Sequence, residues 1–250
     1  SGRTASEGLV VVAVENAGAG AKGVAVEVNS ETDFVARNEL FQKMVSEIAA
    51  ASLSTDGSID ATRAVDFPGA GKSVEDHVAE MVGQIGENMT VRRSNGIAVD
   101  EGVVAHYIHG AATDSAGKIG VLVGLKSAGD KAKLADLGKK VAMHVAAARP
   151  LAATVDDLDA DVVAREKDVL ADQARASGKP EEIIAKMVEG RLRKFYEESV
   201  LLEQVFVMDG ETRVGKVIDN AASDVGAPVE LVGFVRLELG EGVEKSDDED

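Results

Sequence analysis

Apolar residues along this chain follow two different periods. Val-rich runs at 8–14 and 23–28 flank a Gly/Ala/Asn segment, which reads as a β-hairpin. After the polar segment Ser30-Glu31-Thr32-Asp33 the spacing changes, and Leu40, Phe41, Met44, Val45, Ile48 and Ala49 recur at helical intervals. A second helix is predicted over 74–85, with Ser73 as N-cap and Asp76 three residues on, a variant of the capping box. Val78, Met81, Val82 and Ile85 fall on one side of it. The plan then recurs: 103–108 and 119–125 read as strands, and Leu134, Leu137, Val141, Val145 and Ala148 mark a helix ended near Pro150.

Aligned with itself, the chain supports a duplication. Gly23-Val24 and Gly120-Val121 are offset by 97 residues, and so are Ala49-Ala50-Ala51 and Ala146-Ala147-Ala148. On that shift Leu40 meets Leu137, Met44 meets Val141 and Ile48 meets Val145. Small apolar residues pair easily, so chance similarity is the competing reading; a pseudo-symmetric pair of subdomains is the one favoured. Beyond Pro150 the pattern is helical, charged and sparsely apolar. Val162, Val163, Leu170 and Ala174 form one stripe, Ser177-Gly178-Lys179-Pro180 stops and restarts the helix, and Ile183, Ile184, Met187, Leu192 and Phe195 form another. So thin a seam suits a two-helix arm better than core helices. A last strand over 229–239 is expected to return to the sheet of the second subdomain.

The predicted class is therefore α+β: two pseudo-symmetric subdomains of antiparallel strands and packed helices, plus a projecting antiparallel helical hairpin. The expected divisions are an N-terminal core subdomain at 1–98, a C-terminal core subdomain at 99–159 with 200–245, the helical hairpin at 160–199, and an acidic tail at 246–250.

Charge narrows the choice of ligand. With 27 basic and 44 acidic residues the net charge is -17, and no basic stripe interleaved with aromatics occurs. Affinity for nucleic acid comes mainly from Lys and Arg releasing counterions, so direct nucleic-acid binding is not expected, and protein partners fit better. The chain has no Cys, which removes disulfides, thiolate nucleophiles and Cys-based zinc sites and fits a reducing compartment. No apolar run approaches the roughly 18 residues of a membrane span, and residues 1–7 lack the parts of a signal peptide. A soluble cytoplasmic protein is expected, with no membrane partner. The start at Ser1 without Met fits a processed or trimmed product.

Three patterns imitate chemistry. Gly18-Ala19-Gly20-Ala21-Lys22-Gly23 spells a dinucleotide-binding fingerprint, but a strand follows where a helix is required, so a hairpin turn is the better reading. Gly69-Ala70-Gly71-Lys72-Ser73 resembles the end of a phosphate-binding loop. Its missing first glycine is Asp66, a carboxylate where phosphate would lie, so a surface turn with a helix cap is favoured over a nucleotide-binding enzyme. Of the four histidines only His106 and His109 are near in sequence, and strand alternation puts residues three apart on opposite faces. No metal, no cofactor and no catalytic residue is expected.

Asn29-Ser30-Glu31-Thr32-Asp33-Phe34-Val35-Ala36-Arg37-Asn38 resembles the signature of the elongation factor Ts family. Further blocks match in order, among them Ile85-Gly86-Glu87-Asn88-Met89 with Arg92-Arg93, Lys118-Ile119-Gly120-Val121-Leu122-Val123, Met143-His144-Val145-Ala146-Ala147, Ser177-Gly178-Lys179-Pro180 and Phe206-Val207-Met208. The resemblance covers essentially the whole chain. It implies a guanine-nucleotide exchange factor that binds the GTPase domain of elongation factor Tu, in its GDP-bound and nucleotide-free forms, and promotes GDP release. It also implies a chain without the small N-terminal helical module of bacterial relatives and without a further apolar helix after the acidic run. A mitochondrial-matrix or plastid relative is the alternative to a cytoplasmic one.

The same resemblance implies that Asp33 and Phe34 enter the partner near its Mg²⁺ and phosphate region, with Thr32, Val35, Arg37 and Asn38 completing the segment. Arg37 and Asn38 are expected to shape the loop. The resemblance adds Ile119, Gly120 and His144 as contacts from the second subdomain, Gly120 allowing close backbone approach. Read from the residues alone, Phe34 is a core residue of its helix and Asp33 a helix cap. His144 takes the place of Glu47 in the first unit, beside a core face, where it can be exposed and reads as an ordinary surface histidine.

Overall fold

The computed structural model describes residues 4–244, so the expected tail at 246–250 lies outside the described residues. The chain forms two compact units: one runs to Ala146 and resumes at Ala222, and the other is Ala147–Ala221.

In the first unit the Val-rich runs form β1 (Glu7–Ala17) and β2 (Gly20–Ser30), an antiparallel hairpin closed by Gly18 and Ala19. Gly18 has φ 59, the left-handed conformation that a two-residue turn needs. Next come α1 (Asp33–Ala36), α2 (Glu39–Ser52), α3 (Ile59–Ala64) and α4 (Val74–Ile85). The limits of α4 have local causes. The Ser73 side chain accepts from the Asp76 amide at 3.2 Å, and Gly86 at φ 85 closes the last turn. The chain continues through β3 (Met89–Val99), β4 (Gly102–His109), β5 (Ala116–Gly117), β6 (Ile119–Lys126) and α5 (Lys131–Ala148). The final strand, β7 (Glu230–Glu238), returns to β6 as expected. Two antiparallel sheets result, in the orders β3-β2-β1-β5 and β4-β6-β7, and the class is α+β.

The first sheet is buried on both faces, which is why β1 reads as an unbroken apolar run rather than an alternating one. Leu9 and Val11 point into a core with Phe41, Ile48, Val74 and Val78 of the helices, whereas Val10 and Val12 meet Val104, Leu122 and Val235 of the second sheet. On the inter-sheet side β2 carries small residues. A Cβ on Gly23 would lie 2.9 Å from Val104 Cγ1 and 3.2 Å from Leu122 Cδ1, so only glycine lets the second sheet come this near.

The duplication extends beyond the 97-residue offset. Gly8, beside Val28 in the hairpin, corresponds to Gly102 beside Leu125: both have positive φ (121 and 144), and a Cβ on either would fall 2.1 or 2.0 Å from that neighbour's carbonyl oxygen. The first strands of the two halves are thus offset by 94 (Gly8 to Gly102) and the second strands by 97 (Val28 to Leu125). Each middle strand carries a register irregularity at the same place, Glu27/Val28 and Gly124/Leu125. The third strands are offset by 140, because Ser94 faces Val26 in one half and Phe234 faces Val123 in the other.

The second unit fills that longer offset. α6 (Ala160–Arg175) and α7 (Glu181–Ser199) form an antiparallel hairpin turned at Gly178, φ 71. Leu170, Ala174, Ile184 and Leu192 are its buried apolar residues, the thin seam that the sparse stripes predict. At its base Ala152 bridges Val200 in parallel. A turn bridged by Val205 and Arg213 then leads into α8 (Val214–Asn220), as the turn bridged by Asp66 and Ser73 leads into α4.

A buried charge ties the strand ends of the first unit. The Glu27 side chain is 0% exposed, yet its carboxylate meets Arg92 at 2.7 Å and Arg93 at 2.6 Å, whose side chains are 23% and 26% exposed. It also accepts from the Asn29 amide at 3.0 Å and the Gly240 backbone N–H at 2.7 Å. Removing a buried ion while leaving its partners is strongly destabilising. We expect Glu27→Ala to cost about 3 kcal/mol, read as a lower urea midpoint, and Glu27→Gln, which keeps shape and one acceptor, to cost less.

Candidate functional site

The buried end of β2 leads directly to an exposed turn. Asn29 and Ser30 are buried; the Asn29 amide donates to Glu7 O at 3.2 Å, and the Ser30 hydroxyl donates to Thr32 O at 3.0 Å. α1 follows at once and is a single turn. It buries Val35 and Ala36 against the sheet and α2, which forces the residue before them outward. Phe34 is accordingly 80% exposed. The reading of Phe34 as a core residue of its own helix is thereby overturned: one turn has room to bury two positions, and these are taken.

The neighbours of Phe34 have distinct tasks. Thr32 is the N-cap of α1 but makes no side-chain cap hydrogen bond. Asp33 is the first helical residue rather than the cap, and its carboxylate accepts from Arg37 at 2.8 Å. Both groups face solvent, so a pair of this kind contributes only about 0.3–0.5 kcal/mol and opens readily. Asn38 caps the next helix, its Oδ1 accepting from the Leu40 amide at 2.8 Å. Arg37 and Asn38 thus make their contacts within this turn and the start of the next helix.

Residues from the second half are placed unequally. Asp33 and Arg37 line a cavity of about 330 Å³ with Gly110, Ala112 and Lys118, so the start of α1 meets the connection between β4 and β6. Ile119, next to Lys118, is half-buried at the start of β6. Gly120 is buried, and a Cβ there would lie 2.7 Å from Val10 Cγ1 and 3.2 Å from Val12 Cγ1. The close approach it allows is therefore to β1. His144 is 0% exposed and does not line the cavity, contrary to the surface position its spacing suggests. The reason lies in the width of the covered face of α5: Val141, Ala142, His144, Val145 and Ala146 are all buried, a band wider than a single stripe. Glu47, its counterpart on α2, is only half-buried.

The imitations of chemistry resolve as turns. Gly18 to Gly23 is the tip and first residues of the β1–β2 hairpin. In the loop before α4, Asp66 bridges Ser73, Gly69 and Gly71 have φ 73 and 67, and Ser73 is used as the cap. Lys72 is paired with Glu80, whose carboxyl it holds below the ordinary range through a hydrogen bond and its charge. Among the described residues, no helix is long and apolar enough to cross a membrane. Glu87 and Lys118 had no role assigned from sequence; Glu87 bonds to Thr32 and Lys118 lines the cavity with Asp33 and Arg37 only through the fold, and no local spacing signals it.

Comparison with known proteins bears on the whole chain rather than on this geometry. Residues 31–241 match the profile of a family described as Elongation factor TS. The Elongation factor Ts of Rhodospirillum centenum is 57% identical over 247 residues, covering 98% of this chain and 79% of that protein. Those of Rhodospirillum rubrum and Parvibaculum lavamentivorans are both 55% identical, covering 99% of this chain and 79% of each relative.

The packing role of Gly120 is open to measurement. Gly120→Ala is expected to cost about 1–3 kcal/mol by overpacking against Val10. Gly233→Ala, where the nearest atom would be Ile97 Cδ1 at 3.6 Å, should stay within about 0.5 kcal/mol of the parent. Urea midpoints of the isolated chain check both.

Proposed function

Because the chain belongs to the elongation factor Ts family, we propose that it is a guanine-nucleotide exchange factor for elongation factor Tu, with Phe34 and Asp33 entering the partner near its Mg²⁺ and phosphate region. The observation that carries the residue assignment is the 80% exposure of Phe34 on a one-turn helix whose other apolar residues are buried. A large aromatic held in water serves the free protein poorly and a partner pocket well.

No bond is made or broken in this activity. The factor accelerates release by binding better to the partner with its nucleotide loosened than to the partner with it held. Linkage makes the effect mutual, so returning nucleotide expels the factor. Burial of Phe34 in a pocket that opens only in the loosened state contributes about 1.5–3 kcal/mol. At about 1.4 kcal/mol per factor of ten, that is roughly one to two powers of ten in rate, so further contacts take part. Asp33, whose pair with Arg37 is exposed and weak, can turn to groups that serve the partner's metal or phosphate. Thr32, Val35, Arg37 and Asn38 hold this turn, and Ile119 adds a half-exposed apolar contact beyond the shared cavity. Gly120 and His144, both buried, contribute by fixing β6 and α5. The net charge of -17 argues against direct binding to nucleic acid and favours a protein partner met where translation takes place, the cytoplasm of a bacterium.

The decisive measurement is release of fluorescent GDP from purified elongation factor Tu. We expect acceleration by the parent chain, a loss of about tenfold or more with Phe34→Ala, and a smaller loss with Asp33→Ala. Lys72→Ala should be near normal. Full activity of Phe34→Ala together with an inactive Lys72→Ala would overturn the assignment.

A further inference from the structure

The antiparallel pairing of β2 with β3 does not stop where its backbone ladder stops. Ser30 and Met89 are the last ladder pair. The next two pairs in the same register are Glu31 with Asn88 and Thr32 with Glu87, and both are joined through carboxylates. Glu31 Oε1 accepts from the Asn88 backbone N–H at 2.8 Å. Glu87 Oε1 accepts from the Thr32 backbone N–H at 2.9 Å and from its hydroxyl at 3.0 Å, and Glu87 Oε2 accepts from that hydroxyl at 2.6 Å. Each chain segment thus supplies a carboxylate where the ladder would have used a carbonyl.

This matters because α1 cannot hold itself. A single helical turn is unstable alone, and the Thr32 hydroxyl, which would ordinarily cap it, is engaged by Glu87 instead. Hydrogen bonds to an ionised acceptor are the stronger kind. Glu87 is placed for this grip by Gly86, whose left-handed conformation ends α4 and turns the chain back toward β2. Two residues beyond the gripped Thr32 stands Phe34.

We infer that Glu87 is a positioning residue for nucleotide release: by clamping Thr32 it fixes the direction in which Phe34 leaves the surface. This inference rests on the proposed exchange function. It assigns to a residue from the α4–β3 connection, far from the signature in sequence, control over how the signature is presented. Preorganisation of this kind lowers the cost of inserting the ring rather than adding a contact.

The test uses the full chain and elongation factor Tu loaded with fluorescent GDP. With Glu87→Ala the limiting release rate at saturating chain should fall about tenfold, while the concentration for half the limit stays within about twofold. Glu87→Gln, which keeps an acceptor for the Thr32 amide, should recover most of the rate. In a Phe34→Ala background, Glu87→Ala should cause no further loss, because there is no ring left to aim. In the free chain, the Thr32 amide should exchange faster with solvent in Glu87→Ala, while the urea midpoint falls less than it does in Glu27→Ala. An unchanged limiting rate, or a loss equally large with and without Phe34, would overturn the inference while leaving the exchange function standing. Failure of the parent chain to accelerate release at all would instead remove the premise, and the inference with it.

Discussion

The closeness of two β-sheets is the constraint on which the rest of the protein depends. Both sheets carry apolar side chains on the faces they share, and interiors tolerate neither gaps nor overlap. The solution is reciprocal: Gly23 on one sheet yields to Val104 and Leu122, and Gly120 on the other yields to Val10 and Val12. These glycines occupy equivalent places in the two halves, and so do Val10 and Val104, which face them. Strands locked in this way cannot slip, because a shift of one residue would turn a side chain into the place of a missing one.

Fixed strands give fixed strand ends, and the site is built on one of them. Glu27, Asn29 and Ser30 are fully buried polar groups at the end of β2, where the signature begins. Buried polar groups are costly unless satisfied, and here Arg92, Arg93, the Glu7 and Thr32 carbonyls and the Gly240 amide satisfy them. Such a network admits few alternative arrangements. It delivers the chain to Thr32 in one direction, so that α1 begins on a rigid base although it has little stability of its own.

How much of this was legible depends on where each residue finds its partner. The hairpin, α2 and α4 follow from period and caps; α4 ends where Ser73 and Gly86 say it must. β3 was illegible because Arg92 and Arg93 interrupt its apolar pattern, and they stand there to meet Glu27 across the sheet. The 97-residue offset captured the middle strands and the first long helix of each half, but the offsets of 94 and 140 were hidden by a longer connection after β4 and by the inserted helical hairpin. At the site, the resemblance pointed to Phe34, while the residues alone suggested a core position: four residues are too few to show a period. His144 failed for the opposite reason, since spacing marks the centre of a buried face and not its width. Glu87 could not have been found without the register that brings it to Thr32.

The exposed ring has a thermodynamic consequence of its own. Leaving Phe34 in water forgoes about 1.5–3 kcal/mol that burial would supply, and the fold has a second apolar residue, Val35, available to dock α1 in its place. The fold seats α1 on Val35 and Ala36 without using Phe34, so on the proposed function that free energy remains to be realised on the partner. A flexible segment would lose part of it in ordering the chain, whereas a turn already clamped at Thr32 and seated by Val35 and Ala36 loses little. On the proposed function, the effectiveness of the factor is then set by the stiffness beneath the ring as much as by the ring itself. The buried network at the end of β2 and the carboxylate clamp beyond it supply that stiffness.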